Sequence, residues 1–310
     1  MQSKINSSQK NIASPLNYTG GKHKLLPQIL PLFPKNIETF VDLFCGGCNV
    51  GINVNAKKII CNDNNEKLIG FFNYLKGTDF KTFSGQLNEI IEEFHLSNSA
   101  ENGYSFYGCN SSDGLSSYNR RHFLELRKDF NALQITDTSY FAKLYILIVY
   151  AFNNQIRFNS KGLYNLPVGK RDFNKRMSKK LEAFMSSIAN IEFESKDFRE
   201  FETENLTPND FVYADPPYLI TCASYNELDG WNENNEIDLL KMLDKLNGRK
   251  VRFALSNVLS SKGKSNSILS GWLDKNPEYK CHHLNFDYKN SNYHKTDKTN
   301  KADEVLITNY

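Results

Sequence analysis

Short runs of β-branched and aromatic residues, each bounded by turn-forming residues, recur along the chain. They lie at Thr39–Phe44, Lys58–Cys61, Ile191–Glu194, Phe211–Ala214, Val251–Ser256, His282–Phe286 and Glu304–Thr308, and predict seven strands. Apolar positions spaced three and four apart predict helices over Asn64–Lys76, Asp79–Phe94, Asn119–Leu133, Tyr140–Asn154 and Glu236–Leu246. A further helix is expected to begin after Gly20 and Gly21 and to end at the Pro31–Pro34 turn, because proline marks helix boundaries. Residues 1–14 read as a loose tail, and the polar Ser97–Asp113 stretch reads as a mobile loop.

Strands that alternate with helices imply a mostly parallel sheet covered on both faces. The second and third strands are separated by a long segment with helical patterning and no strand. The expected organisation is therefore α/β, with a helical insertion at 77–185 between two parts of one sheet domain, 1–76 and 186–310.

Composition narrows the class. The chain has 310 residues, 40% of them hydrophobic and 24% charged, which excludes a disordered, collagen-like or coiled-coil protein. A net charge of +3 says little about partners, so the distribution of charge has to be read instead. The apolar stretch Tyr140–Phe152 is interrupted by Lys143 and falls short of the ~20 residues of a membrane span. The polar amino terminus shows no secretory signal, and six scattered cysteines favour reduced thiols and a cytoplasmic setting. Cys45 and Cys48 form a CxxC, but no second pair or nearby His completes a zinc set, and no metal is expected.

Three segments carry candidate chemistry. In Phe40-Val41-Asp42-Leu43-Phe44-Cys45-Gly46-Gly47, a buried strand runs into a glycine turn, where the backbone can approach a ligand. A tight turn without a ligand would look the same. Asp63, at the end of the second strand, suits acceptance of hydrogen bonds from ribose hydroxyls or, equally, the start of a helix. The third segment is Asp215-Pro216-Pro217-Tyr218 after a strand. Two prolines fix φ and remove two backbone donors. The Asp215 carboxylate and the Pro216 carbonyl are then two acceptors for the N–H groups of an exocyclic amine, and the Tyr218 ring can stack on an extruded base.

These motifs make the chain resemble the Dam-like (D12 class) family of S-adenosylmethionine-dependent DNA adenine-N6 methyltransferases over nearly all its length. The resemblance rests on Tyr18-Thr19-Gly20-Gly21-Lys22, Phe44 to Gly47, Asp63, the loop Arg157 to Gly169, Asp215 to Tyr218, Leu255-Ser256-Asn257 and Lys301–Tyr310, in the family's order. It implies a Rossmann-like seven-stranded mixed sheet forming the methyltransferase core, with a helical target-recognition insertion. It implies an S-adenosylmethionine site shared by Tyr18, Gly20, Gly21, Lys22, Asp63 and Asp215. Asp42, Phe44, Gly46 and Gly47 would lie near the methionine part, and Asp197 and Phe198 near the adenine. Asp215, Pro216, Pro217 and Tyr218 would be catalytic. Tyr18 stands where relatives often carry Trp, and Cys48 where many carry Gly. Double-stranded DNA is the implied partner, and a cognate restriction endonuclease acting separately fits the same resemblance.

The charge pattern agrees independently. Arg157 to Lys180 holds eight basic residues and a single acid, Asp172. Such a stretch suits phosphates and base edges. Arg157, Asn159, Lys161, Asn165, Pro167, Lys170, Arg171 and Asn257 are the candidate DNA contacts, with Arg157 suited to a guanine edge. Residues 175–180 alternatively form a solvated helix face. Lys289–Lys301 is a second basic segment that would lie over the DNA. Two rival readings are a methyltransferase acting on RNA or protein, and a non-catalytic nucleic-acid-binding module.

Overall fold

The computed structural model describes residues 11–221, 230–285 and 302–310. Among them eight strands form one sheet: β1 (Ile37–Asp42), β2 (Ala56–Asn62), β3 (Ile191–Glu194), β4 (Phe211–Ala214), β5 (Arg252–Ser261), β6 (Lys264–Ser265), β7 (Lys280–His283) and β8 (Asp303–Thr308). The order is β3-β2-β1-β4-β5-β8-β7, with β6 paired to the end of β5. β1 to β5 run parallel, while β8 lies antiparallel between β5 and β7. The mixed α/β class is as expected.

Two details differ from the sequence reading. β5 runs on to Ser261 and doubles back as β6, through Lys262 at φ 51° and Gly263 at φ 76°. Two successive left-handed residues make a tight hairpin, and a two-residue strand is too short to show a period. The strand expected at His282–Phe286 lies at Lys280–His283, and Phe286 falls outside the described residues, as does all of Lys289–Lys301.

The helices are α1 (Leu26–Ile29), α2 (Glu66–Lys76), α3 (Phe80–Glu93), α4 (Ser99–Asn102), α5 (Ser116–Phe130), α6 (Tyr140–Tyr150), α7 (Lys175–Ser187), α8 (Glu233–Gly248) and α9 (Ser267–Lys275). The helix expected after Gly21 is broken into α1 between two 3-10 turns, Lys22–Lys24 and Leu30–Leu32. Pro31 has no N–H to carry an α-helix onward. α6 stops at Tyr150 rather than Asn154 because Ala151 turns extended at ψ 161°, and Asn153 and Asn154 beyond it take φ of 59° and 52°. Asn65, Asp79, Asn174, Asn232 and Asn266 cap α2, α3, α7, α8 and α9 with side-chain oxygens.

The sheet alternates side chains between two cores, as its period of two requires. Phe40, Phe211, Tyr213, Ala254 and Leu306 face Leu25, Leu26, Ile29 and Phe33. Their neighbours Val41, Val212, Phe253, Leu255, Val305 and Ile307 face Leu239, Leu240 and Leu243 of α8 and Leu269 and Trp272 of α9. A third core joins α2, α3, α5, α6 and α7 to Cys61 and Ile191 at the β2–β3 edge. The helices of 77–185 thus share their core with α2 of the sheet domain. Full burial of a ring such as Phe72, Phe123 or Phe184 contributes roughly 1.5–3 kcal/mol.

The Ser97–Asp113 stretch is not a free loop. Asp172, fully buried, accepts hydrogen bonds from Ser97 Oγ (3.2 Å), Ser99 N (2.6 Å) and Ser99 Oγ (2.7 Å), and Tyr150 donates to the Ser97 carbonyl. The described end of the amino-terminal tail is likewise tied down, with Ile12 N and Ser14 N donating to the side chains of Asn53 and Asn49. Among the described residues no helix is long and apolar enough to cross a membrane.

Strand order reverses between β1 and β4. In a parallel sheet this leaves a crevice at the carboxyl ends of those two strands. The glycine turn follows β1, and Asp215 follows β4.

Candidate active site and nucleic-acid face

In the register of the crevice, Asp42 lies beside Tyr213, so the next residues of each strand emerge together. After β1 the chain turns at Gly46, whose φ is 45°. A Cβ there would stand 2.8 Å from Cε1 of Tyr18, so the turn accepts only glycine without moving the ring. Cys48 also adopts a left-handed φ of 58°, which suits the glycine expected at this position. The structure holds Cys48 there by packing: its Sγ lies 3.5 Å from Cys61 Sγ in a buried layer.

Two carboxylates brace the turn. Asp42 Oδ2 accepts from Gly51 N at 3.2 Å, and Asp63 Oδ2 accepts from Gly46 N at 3.0 Å. Asp63 Oδ1 takes Asn65 N as well, while the cap of α2 is Asn65 itself. Burial pushes the Asp42 carboxyl well above the ordinary carboxylate range, and Cys48, Asp215 and Asp63 push it further.

On the other wall, Asp215 projects from the end of β4 and is 16% exposed. Lys22 Nζ stands 2.9 Å from its Oδ1 and also donates to the Gly20 carbonyl at 3.0 Å. Tyr218 brings its hydroxyl to 3.1 Å from Asp215 Oδ1, and Lys22 lies 4.9 Å from the centre of its ring. Burial raises the Asp215 carboxyl above its usual range, Lys22 pulls it back, Glu304 lifts it and the Tyr218 hydroxyl lowers it. Tyr18, Gly20, Gly21, Lys22, Asp42, Gly46, Gly47, Asp63 and Asp215 are therefore gathered in one crevice, with Pro216 and Pro217 fixing the exit of β4.

Phe44 and Phe198 lie 5.5 Å apart between ring centres, and Trp231 completes the group at 5.6 Å from each. Asp197 is turned to its own backbone and to Arg199, which it meets at 3.3 Å. Trp231 was not singled out in the sequence. Its indole donates to buried Glu236 at 2.6 Å, a pairing between residues that the chain alone leaves unmarked.

The basic face is built on a hairpin. Phe158 pairs with Tyr164 in an antiparallel bridge, and Gly162 at φ 73° closes the turn. Asn159 Oδ1 accepts from Lys161 N and Leu163 N, so its oxygen shapes the hairpin. Asn131, just after α5, grips Tyr164 through both its backbone groups. Arg157 Nε donates to Asn165 Oδ1 at 2.9 Å, which aims the exposed guanidinium. Lys161, Pro167, Lys170 and Arg171 are exposed alongside. Residues 175–180 form the first half of α7, with Lys175, Arg176 and Lys179 exposed.

Asn257 does not join this face. It is fully buried on β5, and its amide donates to Glu236 Oε1 at 2.9 Å, so it fastens the strand to α8. The face has an aromatic member that the sequence reading passed over: Phe152 is 54% exposed, with Asn153 and Asn154 in left-handed conformation behind it. Asn17 Nδ2 donates to the Asn153 carbonyl at 2.7 Å and ties this loop to the crevice. A large exposed ring flanked by residues of unfavourable φ is a signal only the folded chain displays.

The crevice thus gathers the carboxylates of Asp42, Asp63 and Asp215, with the ring cluster of Phe44, Phe198 and Trp231 following the same strand end. The family model for D12 class N6 adenine-specific DNA methyltransferase matches residues 18–290. The chain is 43% identical over 307 residues to the type II methyltransferase M.FokI of Planomicrobium okeanokoites, covering 96% of this chain and 43% of that protein. It is 41% identical over 315 residues to the modification methylase StsI of Streptococcus sanguinis, covering 99% and 44%. The type II methyltransferase M1.LlaDCHI of Lactococcus lactis subsp. cremoris is 26% identical over 317 residues, covering 99% of this chain and 98% of the relative. The chain thus spans less than half the length of the first two.

Proposed function

Because this chain belongs to the D12 class of N6 adenine-specific DNA methyltransferases, we propose that it transfers a methyl group from S-adenosylmethionine to N6 of an adenine extruded from double-stranded DNA. The observation that carries the reading is Asp215 at the carboxyl end of β4, held by Lys22 and Tyr218 beside the turn of Gly46 and Gly47.

The residues present fit the cofactor. Asp42, Asp63 and Asp215 are three carboxylates close enough to influence one another, an arrangement suited to a ligand that carries a sulfonium and an ammonium. The half-buried rings of Phe44 and Trp231, packed on buried Phe198, form an apolar aromatic edge suited to a purine. When bound, the cofactor supplies an electrophilic methyl group.

The chain's own work is positioning. Asp215 and the Pro216 carbonyl accept the two N–H groups of the target amine, which is a weak nucleophile because its lone pair is delocalised into the ring. Holding both bends the nitrogen toward tetrahedral geometry and localises the pair toward the methyl group. Tyr218 stacks on the extruded base. The proton lost by the nitrogen after transfer passes to the Asp215 carboxylate.

The segment 77–185 carries target recognition in this reading, with the hairpin 157–169 reading bases and Lys170 and Arg171 holding phosphates. Phe152 has the exposure to stack beside the gap left by the extruded adenine. A cognate restriction endonuclease acting separately is the partner that the type II naming of the relatives suggests.

The test is transfer of a labelled methyl group to duplex DNA, RNA and protein in parallel, followed by base-resolved sequencing of the DNA. Label at N6 of adenine within one short sequence is expected. Label confined to RNA or protein, or none with cofactor bound, would overturn the reading.

A further inference from the structure

β8 delivers a carboxylate to the crevice that the steps above do not use. Glu304 is 1% exposed and sits opposite Val258 of β5. Its Oε1 lies 2.9 Å from the Tyr218 hydroxyl and 3.5 Å from Lys22 Nζ. The same hydroxyl lies 3.1 Å from Asp215 Oδ1. A phenol has one proton and donates to one carboxylate at a time. The Lys22 ammonium, within 3.5 Å of both acids, offsets the repulsion between them. Two acids therefore converge on one ammonium and one phenol.

We propose that Glu304 is a positioning residue of the methyl-transfer reaction: it holds Lys22 and Tyr218 against Asp215, and its charge sets the pH at which Asp215 becomes an acceptor for the target amine. The inference rests on the proposed function. The groups facing Asp215 among the described residues are Lys22 from the first 3-10 turn, Asp42 from β1, Tyr213 from β4, Tyr218 from the loop after β4 and Glu304 from β8. Lys22 favours the ionised form of Asp215, whereas Glu304 opposes it by like charge. Asp42 and Tyr213 lie on fixed strands and act alike whatever stands at 304.

The experiment is the single-turnover rate of adenine methylation against pH for the wild type, Glu304→Gln and Glu304→Asp. Glutamine keeps the oxygen that Tyr218 donates to and removes the charge. Its acid limb is expected to move down by roughly one pH unit, while Glu304→Asp keeps the wild-type limb. A lowered rate with an unmoved limb in Glu304→Gln would overturn the proposal. Should Glu304→Gln not fold, carbon NMR of the wild type with labelled Asp and Glu carboxyls decides: coupled two-step titration supports it, and two independent titrations overturn it. Failure of the wild type to methylate adenine would instead remove the proposed function, so the two failures are distinct.

Discussion

Lys22 Nζ lies 2.9 Å from Asp215 Oδ1, so a residue near the start of the chain governs the carboxylate at the end of β4. In the proposed function Asp215 must be ionised to accept the amine. Burial raises its carboxyl and Lys22 lowers it. Removing the cation leaves the upward push unopposed. In Lys22→Met the acid limb of the transfer rate is expected to move to higher pH, and the rate at neutral pH to fall by at least about tenfold. A single-turnover pH profile checks this; a limb that stays in place would show that the pair is structural only.

In the proposed function Asp42 sets fold stability against cofactor binding. Its folded carboxyl is raised well above the unfolded value, so ionising it costs stability. The contribution is full below the unfolded value of about 3.9 and is lost as pH rises through the raised folded value. Asp42→Asn keeps an oxygen for Gly51 N and cannot ionise. It should melt higher than the wild type at neutral pH, by about 0.5–2 kcal/mol, with the gap closing in acid. Cofactor affinity should fall in the same variant. Thermal melts between pH 4 and 8 with cofactor titrations test both; equal melting at every pH contradicts the burial argument.

The Gly46 turn is strained for any other residue. Its φ of 45° and the 2.8 Å approach of a Cβ to Tyr18 Cε1 predict that Gly46→Ala loses about 1–3 kcal/mol of stability and binds cofactor more weakly. Gly85 in α3 has nothing within 4 Å of its would-be Cβ. Gly85→Ala should be neutral or stabilising by about 0.5–1 kcal/mol. Denaturant unfolding of the two variants separates turn strain from a general effect of added methyls.

Arg157 and Arg171 should fail in different ways. Arg157 is held by Asn165 and, in the proposed function, meets a base edge, so Arg157→Ala should cost roughly 1–3 kcal/mol of discrimination between cognate and one-base-altered duplexes. Arg171→Ala should weaken all duplexes alike and reduce the salt slope of binding by about 1. Binding measured across salt concentrations on both duplexes distinguishes them, and loss of selectivity in Arg171→Ala would contradict the assignment.

Much of the fold was legible in the chain because its signals are local. The strands at Ile191–Glu194 and Phe211–Ala214 match the sequence reading residue for residue. Gly46, Gly47, Asp215 and the two prolines mark turns by their own stereochemistry. The broken helix before Pro31, the β6 hairpin and the early end of α6 depart from that reading because each depends on the backbone angles of a few residues.

The residues by themselves determined the strand runs, the glycine and proline turns, the basic stretch and the presence of an acceptor at 215. Only the tertiary structure decided which charges meet. Strand order put β8 beside β5 and so brought Glu304 to Tyr218 and Lys22; packing sank Asn257 against Glu236, and it set Trp231 against Phe44 and Phe198. Hydrophobic periodicity is written along the chain, whereas a buried ion pair depends on distances between residues far apart in sequence, which come into being only when the sheet forms.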